Sequence, residues 1–298
     1  MGIMSFMDDP KAFVVALLLS LPGILLALCG HEAAHGWVAD RCGDPTARLM
    51  GRVTLDPRRH IDPVGFVCMI LIGFGWARPV PVNPDNYRRG RRDDLKVSLA
   101  GIAANLVMCL IGFLLLSGMF LFALKRVPTP DALGTLTADA NIMLISYEGE
   151  TYFLHREADI VLRMSDLFTA SSGIWAYRGA NGSYGIVELL IDPALGEFWG
   201  YAYNIVIRFM TLNLTLAVFN LIPIPPLDGY HVLNDLLLKR PLFAPDKAAR
   251  VGFGVMAALI LLGSVSERLD IISIVFRFVE KNAFNSLTGL LYRASGFF

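Results

Sequence analysis

Five long apolar stretches divide the chain, at about 12–38, 61–76, 97–124, 203–222 and 251–265. A helix needs about 20 apolar residues to cross the hydrocarbon core of a bilayer. The first and third stretches meet this length easily, the fourth barely meets it, and the second and fifth are marginal. The pattern therefore predicts an α-helical, multi-pass membrane protein.

The polar segments between these stretches carry opposite charges. Residues 39–96 contain ten arginines and one lysine, whereas residues 127–202 contain ten acidic residues and three arginines. The positive-inside rule predicts that the arginine-rich segment is cytoplasmic and that the acidic segment is outside. Two short apolar runs, 142–145 and 152–154, and the Asn181-Gly182 turn signal predict a small extramembrane insertion that contains β-strands. Residues after 266 mix charged and apolar side chains, which predicts an interfacial amphipathic helix.

The composition supports a location in the membrane. Apolar residues make up 55% and charged residues 17% of the chain, against about 45–50% and about 25% in ordinary soluble domains. The net charge is zero, so bulk electrostatics gives no reason to expect a nucleic-acid partner. The four cysteines show no CxxC spacing, and we expect them to be small buried apolar residues rather than disulfides or metal ligands.

The sequence HEAAH in the first stretch fits the H-E-x-x-H pattern, with His31, Glu32 and His35. Positions i and i+4 of a helix share a face, so both imidazoles can meet one zinc ion. Glu32 lies beside that face and can take a proton from a water that attacks a carbonyl. The alternative is a chance match in an ordinary helix, but ionisable residues inside an apolar span are costly and are functional by default.

A catalytic zinc site with two histidines lacks one protein ligand. The candidates are His60 in the arginine-rich loop, His155 in the acidic insertion, His231 and Asp228. Asp228 directly follows the fourth stretch, where three prolines forbid a continuous helix, namely Pro223, Pro225 and Pro226. Unwound backbone at membrane depth persists only when it is buried in protein or lines a wet cavity. An acid at such a break suits a metal ligand, although it could also be part of an Asp-Gly turn that ends a helix.

The two motifs together resemble the site-2 protease family of intramembrane metalloproteases. The second motif reads N-x-x-P-x-P-P-L-D-G from Asn220 to Gly229. The resemblance implies that His31, His35 and Asp228 bind Zn²⁺ and that Glu32 is the general base. The resemblance extends to two further segments, GRVTLDPRRHIDPVG (51–65) and FGWARPVPVN (74–83), which look like the stretch that follows HExxH in the compact bacterial members. In total it covers roughly 11–125 and 204–240.

The chain departs from the family pattern at one element. Family members usually carry Gly-Pro-x-x-Asn in the middle core helix, whereas this chain has Gly101 and Asn105 without the proline. Asn105 and Asn220 are candidate contacts to a substrate or a transition state. The alternative for Asn105 is a plain hydrogen bond between helices. The PDZ and CBS regulatory modules of the family are not visible.

The positions of the motifs predict a topology. HEAAH lies near the C-terminal end of the first stretch, and Asp228 follows the end of the fourth, so the two share a depth if both stretches run in the same direction. One full crossing must then separate them, which makes 61–76 re-entrant or shallow. We expect a three-helix catalytic core, a re-entrant segment and a C-terminal membrane helix, in a core of 1–126 and 203–298 interrupted by an insertion at 127–202. The active site lies toward the cytoplasmic side of the cell membrane.

The resemblance implies an intramembrane zinc metalloprotease that hydrolyses peptide bonds in or near transmembrane segments of membrane-protein substrates, as in regulated intramembrane proteolysis. Its partners are then a transmembrane substrate and the lipid bilayer. The alternatives are a zinc-dependent transporter or metal-binding membrane protein without protease activity, and an inactive scaffold, which the complete set of ligands and base disfavours. Residues 52–54 and 80–82 are expected to form strands that pair with an extended substrate.

Overall fold

The computed structural model describes residues 10–72, 75–124 and 197–238, the strand segments given below, and single positions between 247 and 258. Among these residues seven α-helices follow one another along the chain: α1 Pro10–Cys42, α2 Thr46–Leu49, α3 Pro57–His60, α4 Pro63–Ile72, α5 Arg91–Leu124, α6 Glu197–Asn220 and α7 Asp228–Leu233. A 3₁₀ turn at Pro84–Asn86 precedes α5, and a π-helical turn at Asn234–Leu238 follows α7.

Three of these helices are long and apolar enough to cross a membrane, over Phe13–Cys42, Arg91–Ala123 and Phe198–Asn220. They coincide with the first, third and fourth apolar stretches of the sequence. Large apolar side chains such as Leu18, Val107 and Leu114 are exposed on them, which is the surface expected of helices in contact with lipid tails. The helical part of the prediction is confirmed, and the three candidate spans support a location in the membrane.

The described residues belong to two compact units. The first contains α1 to α4, the N-terminal part of α5, the C-terminal part of α6, and α7. Small residues let its helices approach closely. A Cβ atom at Gly23 of α1 would lie 3.1 Å from Phe209 Cα of α6, and a Cβ at Gly30 would lie 2.9 Å from Met108 Sδ of α5. Helix α1 therefore contacts both other long helices of this unit.

The second unit contains the rest of α5 and α6 and five short strands. Strands β1 (Ile142–Tyr147), β2 (Glu150–His155) and β3 (Ile160–Arg163) form an antiparallel sheet, with Ile142 opposite His155 and Tyr152 opposite Arg163. Strands β4 (Tyr177–Gly179) and β5 (Gly182–Tyr184) pair as a hairpin. The two apolar runs of the acidic segment lie in β1 and β2. The extramembrane position of this segment stays a prediction.

The residues just before and just after helix α4 lie next to each other. Ile61 and Ala77 form an isolated antiparallel bridge, and the Arg78 amide donates to the His60 carbonyl at 2.7 Å. The ten residues of α4 rise by only about 15 Å, roughly half of the hydrocarbon thickness. This geometry suits the predicted re-entrant segment, and within the described residues α5 is the one long helix between α1 and α6.

Asp44 joins the turn after α1 to the turn before α5. Its carboxylate is fully buried and accepts hydrogen bonds from the Asn83 amide at 2.7 Å, from Asn86 Nδ2 at 2.8 Å, and from the Thr46 amide and hydroxyl. Burial alone would raise the pKa of this carboxyl, but the hydrogen bonds outweigh burial and hold the pKa below its ordinary value. The ionised carboxylate thus fixes the ends of α1 and α5 relative to each other.

Two predicted features lie wholly or largely beyond the described residues. The fifth apolar stretch is described only at single helical positions, and the predicted amphipathic tail after residue 266 is outside the described residues. The four cysteines are free, and three of them, Cys29, Cys42 and Cys109, are buried. This agrees with their interpretation as small apolar residues.

Candidate metal centre and active site

The two histidines of HEAAH project from the same face of α1. His31 Nε2 and His35 Nε2 lie 3.1 Å apart, and the two rings meet edge to face with centroids 4.7 Å apart. His31 is buried, with 8% of its surface exposed. The i, i+4 spacing therefore places both Nε2 atoms at one point, as the sequence predicted.

Asp228 reaches the same point from the far end of the chain. Its Oδ2 lies 3.3 Å from the Nε2 atoms of both His31 and His35. The chain unwinds after Asn220, passes through the three prolines as turns, and begins α7 at Asp228. Gly229 permits this turn, because a Cβ atom there would lie 2.4 Å from the Leu221 carbonyl oxygen. Among the described residues, these three are the only group of His, Cys, Asp or Glu side chains close enough to hold one metal ion.

The hydrogen bonds behind the imidazoles fix their tautomers. His35 Nδ1 lies 2.7 Å from the Val97 carbonyl oxygen, which can only accept, so Nδ1 carries the proton. His31 Nδ1 lies 3.0 Å from Asn105 Oδ1, which accepts in the same way. Both Nε2 atoms consequently present lone pairs. A metal-binding histidine usually donates its other ring nitrogen to such an oxygen acceptor.

Three acceptor atoms thus face one another at close range. Two lone-pair nitrogens 3.1 Å apart cannot bond to each other, and Asp228 Oδ2 is buried without a hydrogen-bond partner in the described part of the chain. Ligands about 2.0–2.1 Å from a tetrahedral zinc ion lie about 3.3–3.4 Å from one another. The observed separations of 3.1 and 3.3 Å match that spacing. The donor set of two nitrogens and one oxygen therefore fits zinc.

Glu32 is held by the backbone of a distant segment. Its Oε2 accepts a hydrogen bond from the Val80 amide at 2.8 Å. The side chain therefore has a defined position, on the residue that follows His31 in α1.

Gly101, which the sequence analysis named only as part of the element that ends at Asn105, borders both imidazoles. A Cβ atom at this position of α5 would lie 2.4 Å from both His31 Cε1 and His35 Nε2. Only glycine leaves room for both imidazoles against α5. The signal in the sequence was a glycine four residues before Asn105 in an apolar helix.

The two predicted asparagines occupy different surroundings. Asn105 is fully buried, and its Oδ1 is used by His31. This is a contact between helices, which was the alternative considered for Asn105. Asn220 donates from Nδ2 to the Leu216 carbonyl of its own helix at 3.0 Å. A contact of either residue with a substrate stays a prediction.

The other histidines lie apart from this centre. His60 is buried and its Nε2 donates to the Thr54 carbonyl at 2.8 Å, which is a loop contact. His231 is exposed on α7. The side chain of His155 in β2 is outside the described set.

The described segments 52–54 and 80–82 form no strand by themselves, and their pairing with an extended substrate stays a prediction. Pro79 and Pro81 have no amide hydrogen to contribute to a β-ladder. The Val80 amide is already used by Glu32. The carbonyls of Arg78 and Pro79 are used by the Arg52 side chain.

Comparison with known proteins places these features in a family context. The model of peptidase family M50 matches residues 19–263, which include every residue of the candidate site. The protein named "Putative zinc metalloprotease YwhC" of Bacillus subtilis is 29% identical over 261 residues, covering 87% of both chains.

Two mycobacterial proteins are also similar, each named "Putative zinc metalloprotease Rip2". The protein from Mycolicibacterium smegmatis is 24% identical, covering 85% of this chain and 70% of its own length. The protein from Mycobacterium tuberculosis strain Erdman is 26% identical, covering 88% of this chain and 80% of its own length. No solved structure matches the chain.

Proposed function

The chain belongs to peptidase family M50, and from this premise we propose that it hydrolyses peptide bonds in or near the transmembrane segments of membrane proteins. It is a zinc metallopeptidase of the site-2 type. The observation that carries the proposal is the convergence of His31, His35 and Asp228 beside Glu32, on helices long and apolar enough to span a bilayer.

We assign His31 Nε2, His35 Nε2 and Asp228 Oδ2 as the zinc ligands. Zinc bound there supplies Lewis acidity, which lowers the pKa of a coordinated water toward about 7. Glu32 is the general base, and it takes the proton of the attacking water and passes it to the leaving amine. Asn105 orients the imidazole of His31 through Nδ1.

The substrate is proposed to be a transmembrane helix. His31 and His35 lie within the Phe13–Cys42 span, so a scissile bond must reach them at membrane depth. A helix in lipid has every backbone group paired, and it must unwind before water can attack a carbonyl. Regulated intramembrane proteolysis is the process that such chemistry serves.

We propose that α1 runs from outside to the cytoplasm, α5 returns, and α6 runs parallel to α1. This orientation follows from the ten arginines and one lysine of residues 39–96 and the excess of acidic residues in 127–202. The active site then lies toward the cytoplasmic face of the cell membrane.

The decisive experiment separates zinc binding from hydrolysis. Glu32→Gln keeps all three ligands, so we expect full zinc content and loss of cleavage by about a thousandfold or more. Asp228→Ala removes a ligand and should lose zinc. His231→Gln, an exposed histidine three residues from Asp228, is the matched control and should change neither.

Zinc is measured by mass spectrometry of the purified protein, and cleavage by comparing the membrane proteomes of cells with wild type and with Glu32→Gln. A protein that accumulates in full-length form in the variant is the substrate. A zinc transporter or metal-binding protein would need the three zinc ligands but not Glu32, so its activity should survive Glu32→Gln. Unchanged proteomes in Glu32→Gln cells, or zinc flux that this variant retains, would therefore contradict the proposed function.

A further inference from the structure

The position of Glu32 depends on one peptide group of the segment before α5. The Val80 amide donates to Glu32 Oε2 at 2.8 Å, and Val80 is buried, with 7% of its surface exposed. A carboxylate that accepts from a fixed amide loses much of its rotational freedom. The orientation of the peptide bond between Pro79 and Val80 therefore sets the orientation of Glu32.

The same peptide group is held from its other side by Arg52. Arg52 Nη2 donates to the Pro79 carbonyl at 3.2 Å and to the Arg78 carbonyl at 2.8 Å. The Pro79 carbonyl and the Val80 amide belong to one rigid, planar unit. Arg52 and Glu32 are thus bound to opposite ends of a single peptide plane, and rotation of that plane would release both contacts together.

The surroundings give this peptide no regular secondary structure to hold it. Pro79 and Pro81 flank Val80 and supply no amide hydrogens, and the described residues 78–83 form neither helix nor strand. At one end of this segment the Asn83 amide donates to the Asp44 carboxylate, and at the other end the Arg78 amide donates to the His60 carbonyl. Among the described contacts, Arg52 is the side chain that donates to the carbonyls between these two points.

Arg52 is itself firmly placed. Its amide donates to the Ala47 carbonyl at 2.8 Å, and only 7% of its surface is exposed. The neighbouring Val53 packs with Val80 against α1, where a Cβ atom at Gly36 would lie 3.1 Å from Val53 Cγ2 and 3.2 Å from Val80 Cγ1. A buried guanidinium is costly unless its donors are used. Nη2 is used by the two carbonyls, whereas Nε is buried without a hydrogen-bond partner in the described part of the chain. Burial lowers the pKa of Arg52, with the charge of Arg78 as a second cause.

We infer that Arg52 is a positioning residue for the Glu32 carboxylate and acts through the peptide group between Pro79 and Val80. The inference rests on the proposed function, because it takes Glu32 to be the base. Arg52 touches neither the ligands nor Glu32 by hydrogen bond among the described contacts, so its effect should fall on the rate of the chemical step and spare zinc and substrate binding.

The first test is amide hydrogen exchange, which needs no activity. Pro79 and Pro81 carry no amide hydrogen, so Val80 and Val82 are the only exchanging positions in 79–82. In the full-length zinc-loaded protein, Glu32→Ala and Arg52→Gln should each accelerate exchange at Val80 by about tenfold or more. Arg58→Gln, an exposed arginine of the same loop, is the control and should leave exchange unchanged. Wild-type protection of Val80 in Arg52→Gln would overturn the inference.

The second test is kinetic. Arg52→Gln should lower kcat by about tenfold to a hundredfold with KM and zinc content unchanged, and Arg52→Lys should recover part of the loss because one ammonium can still donate to a carbonyl. A fall in zinc content, or equal losses from Gln and Lys together with a raised KM, would show a merely structural role and overturn the inference. If the wild-type protein cleaves no membrane protein, the proposed function fails, and if Glu32→Gln still cleaves, the role of Glu32 as the base fails. In either case the exchange result at Val80 still decides whether Arg52 holds the peptide.

Discussion

At the scale of single residues, Gly101 sets the space in which the metal centre forms. A Cβ atom there would lie 2.4 Å from His31 Cε1 and 2.4 Å from His35 Nε2. Real Cβ atoms do not approach other heavy atoms so closely, so either an imidazole or helix α5 must shift. Zinc ligands tolerate errors of only about 0.2 Å in their distances.

Gly101→Ala is therefore expected to reduce zinc affinity by about a hundredfold or more, and cleavage with it. Gly118→Ala on the same helix is the matched control, because no atom lies within 4 Å of a Cβ at that position. It should retain zinc and gain up to about 1 kcal/mol from the better helix propensity of alanine. Competition of each purified variant with a zinc chelator measures the affinities. Equal zinc affinity of the two variants would contradict the geometry.

The three ligand candidates were predictable from sequence because each is an ionisable residue in or beside an apolar stretch, and because the spacing of HEAAH is local. The closeness of Gly101 to the two imidazoles and the contacts of the Arg52 side chain could not be predicted from the sequence. A glycine in an apolar helix has many uses, and its closeness to two imidazoles depends on the distance between α1 and α5. No local pattern specifies that distance.

At the scale of elements, the lengths of the apolar stretches predicted α1, α5 and α6, and the crossing argument predicted that 61–76 returns to its own side. Segments 52–54 and 80–82 form no strand by themselves, and their pairing with an extended substrate stays a prediction. Such pairing needs free backbone donors and acceptors. In the second segment the Val80 amide is already used by Glu32, and Pro81 has no amide hydrogen.

Asp44 connects two elements, and its charge gives a prediction for pH dependence. Its folded pKa lies below the ordinary value, so its contribution to stability is present above about pH 4 and is lost as the pH falls through the folded pKa. Asp44→Asn should lower the free energy of unfolding by roughly 2–4 kcal/mol at pH 7, because buried donors lose an ionised acceptor.

The measurement is the thermal midpoint of the protein in detergent micelles at pH 7 and at decreasing pH. The difference between wild type and Asp44→Asn should shrink below about pH 4. Asp85→Asn, at an exposed carboxylate in the neighbouring 3₁₀ turn, serves as the control and should match wild type at pH 7. A constant difference at every pH would show that the charge of Asp44 is not what connects the two turns.

At the scale of the whole molecule, the orientation in the membrane decides which face supplies water and regulators to the site. The charge asymmetry between 39–96 and 127–202 is a property of the sequence alone. The structure adds a bridge between Ile61 and Ala77, which supports the proposal that the segment from the end of α1 to the start of α5 lies on one side. The orientation itself stays a proposal that rests on the charges.

Cysteine labelling with a membrane-impermeant maleimide tests this orientation. Three of the four native cysteines are buried, which keeps the background low. Arg58→Cys and Arg78→Cys, at exposed positions before and after α4, should both be labelled only in inside-out vesicles, whereas Asp159→Cys in the acidic segment should be labelled in intact cells. Labelling of Arg58→Cys and Arg78→Cys from opposite sides would mean that α4 crosses the membrane, and α1 and α6 would then have to run in opposite directions. In that arrangement His31, His35 and Asp228 could not share one depth, so this result would contradict the proposed zinc site together with the topology.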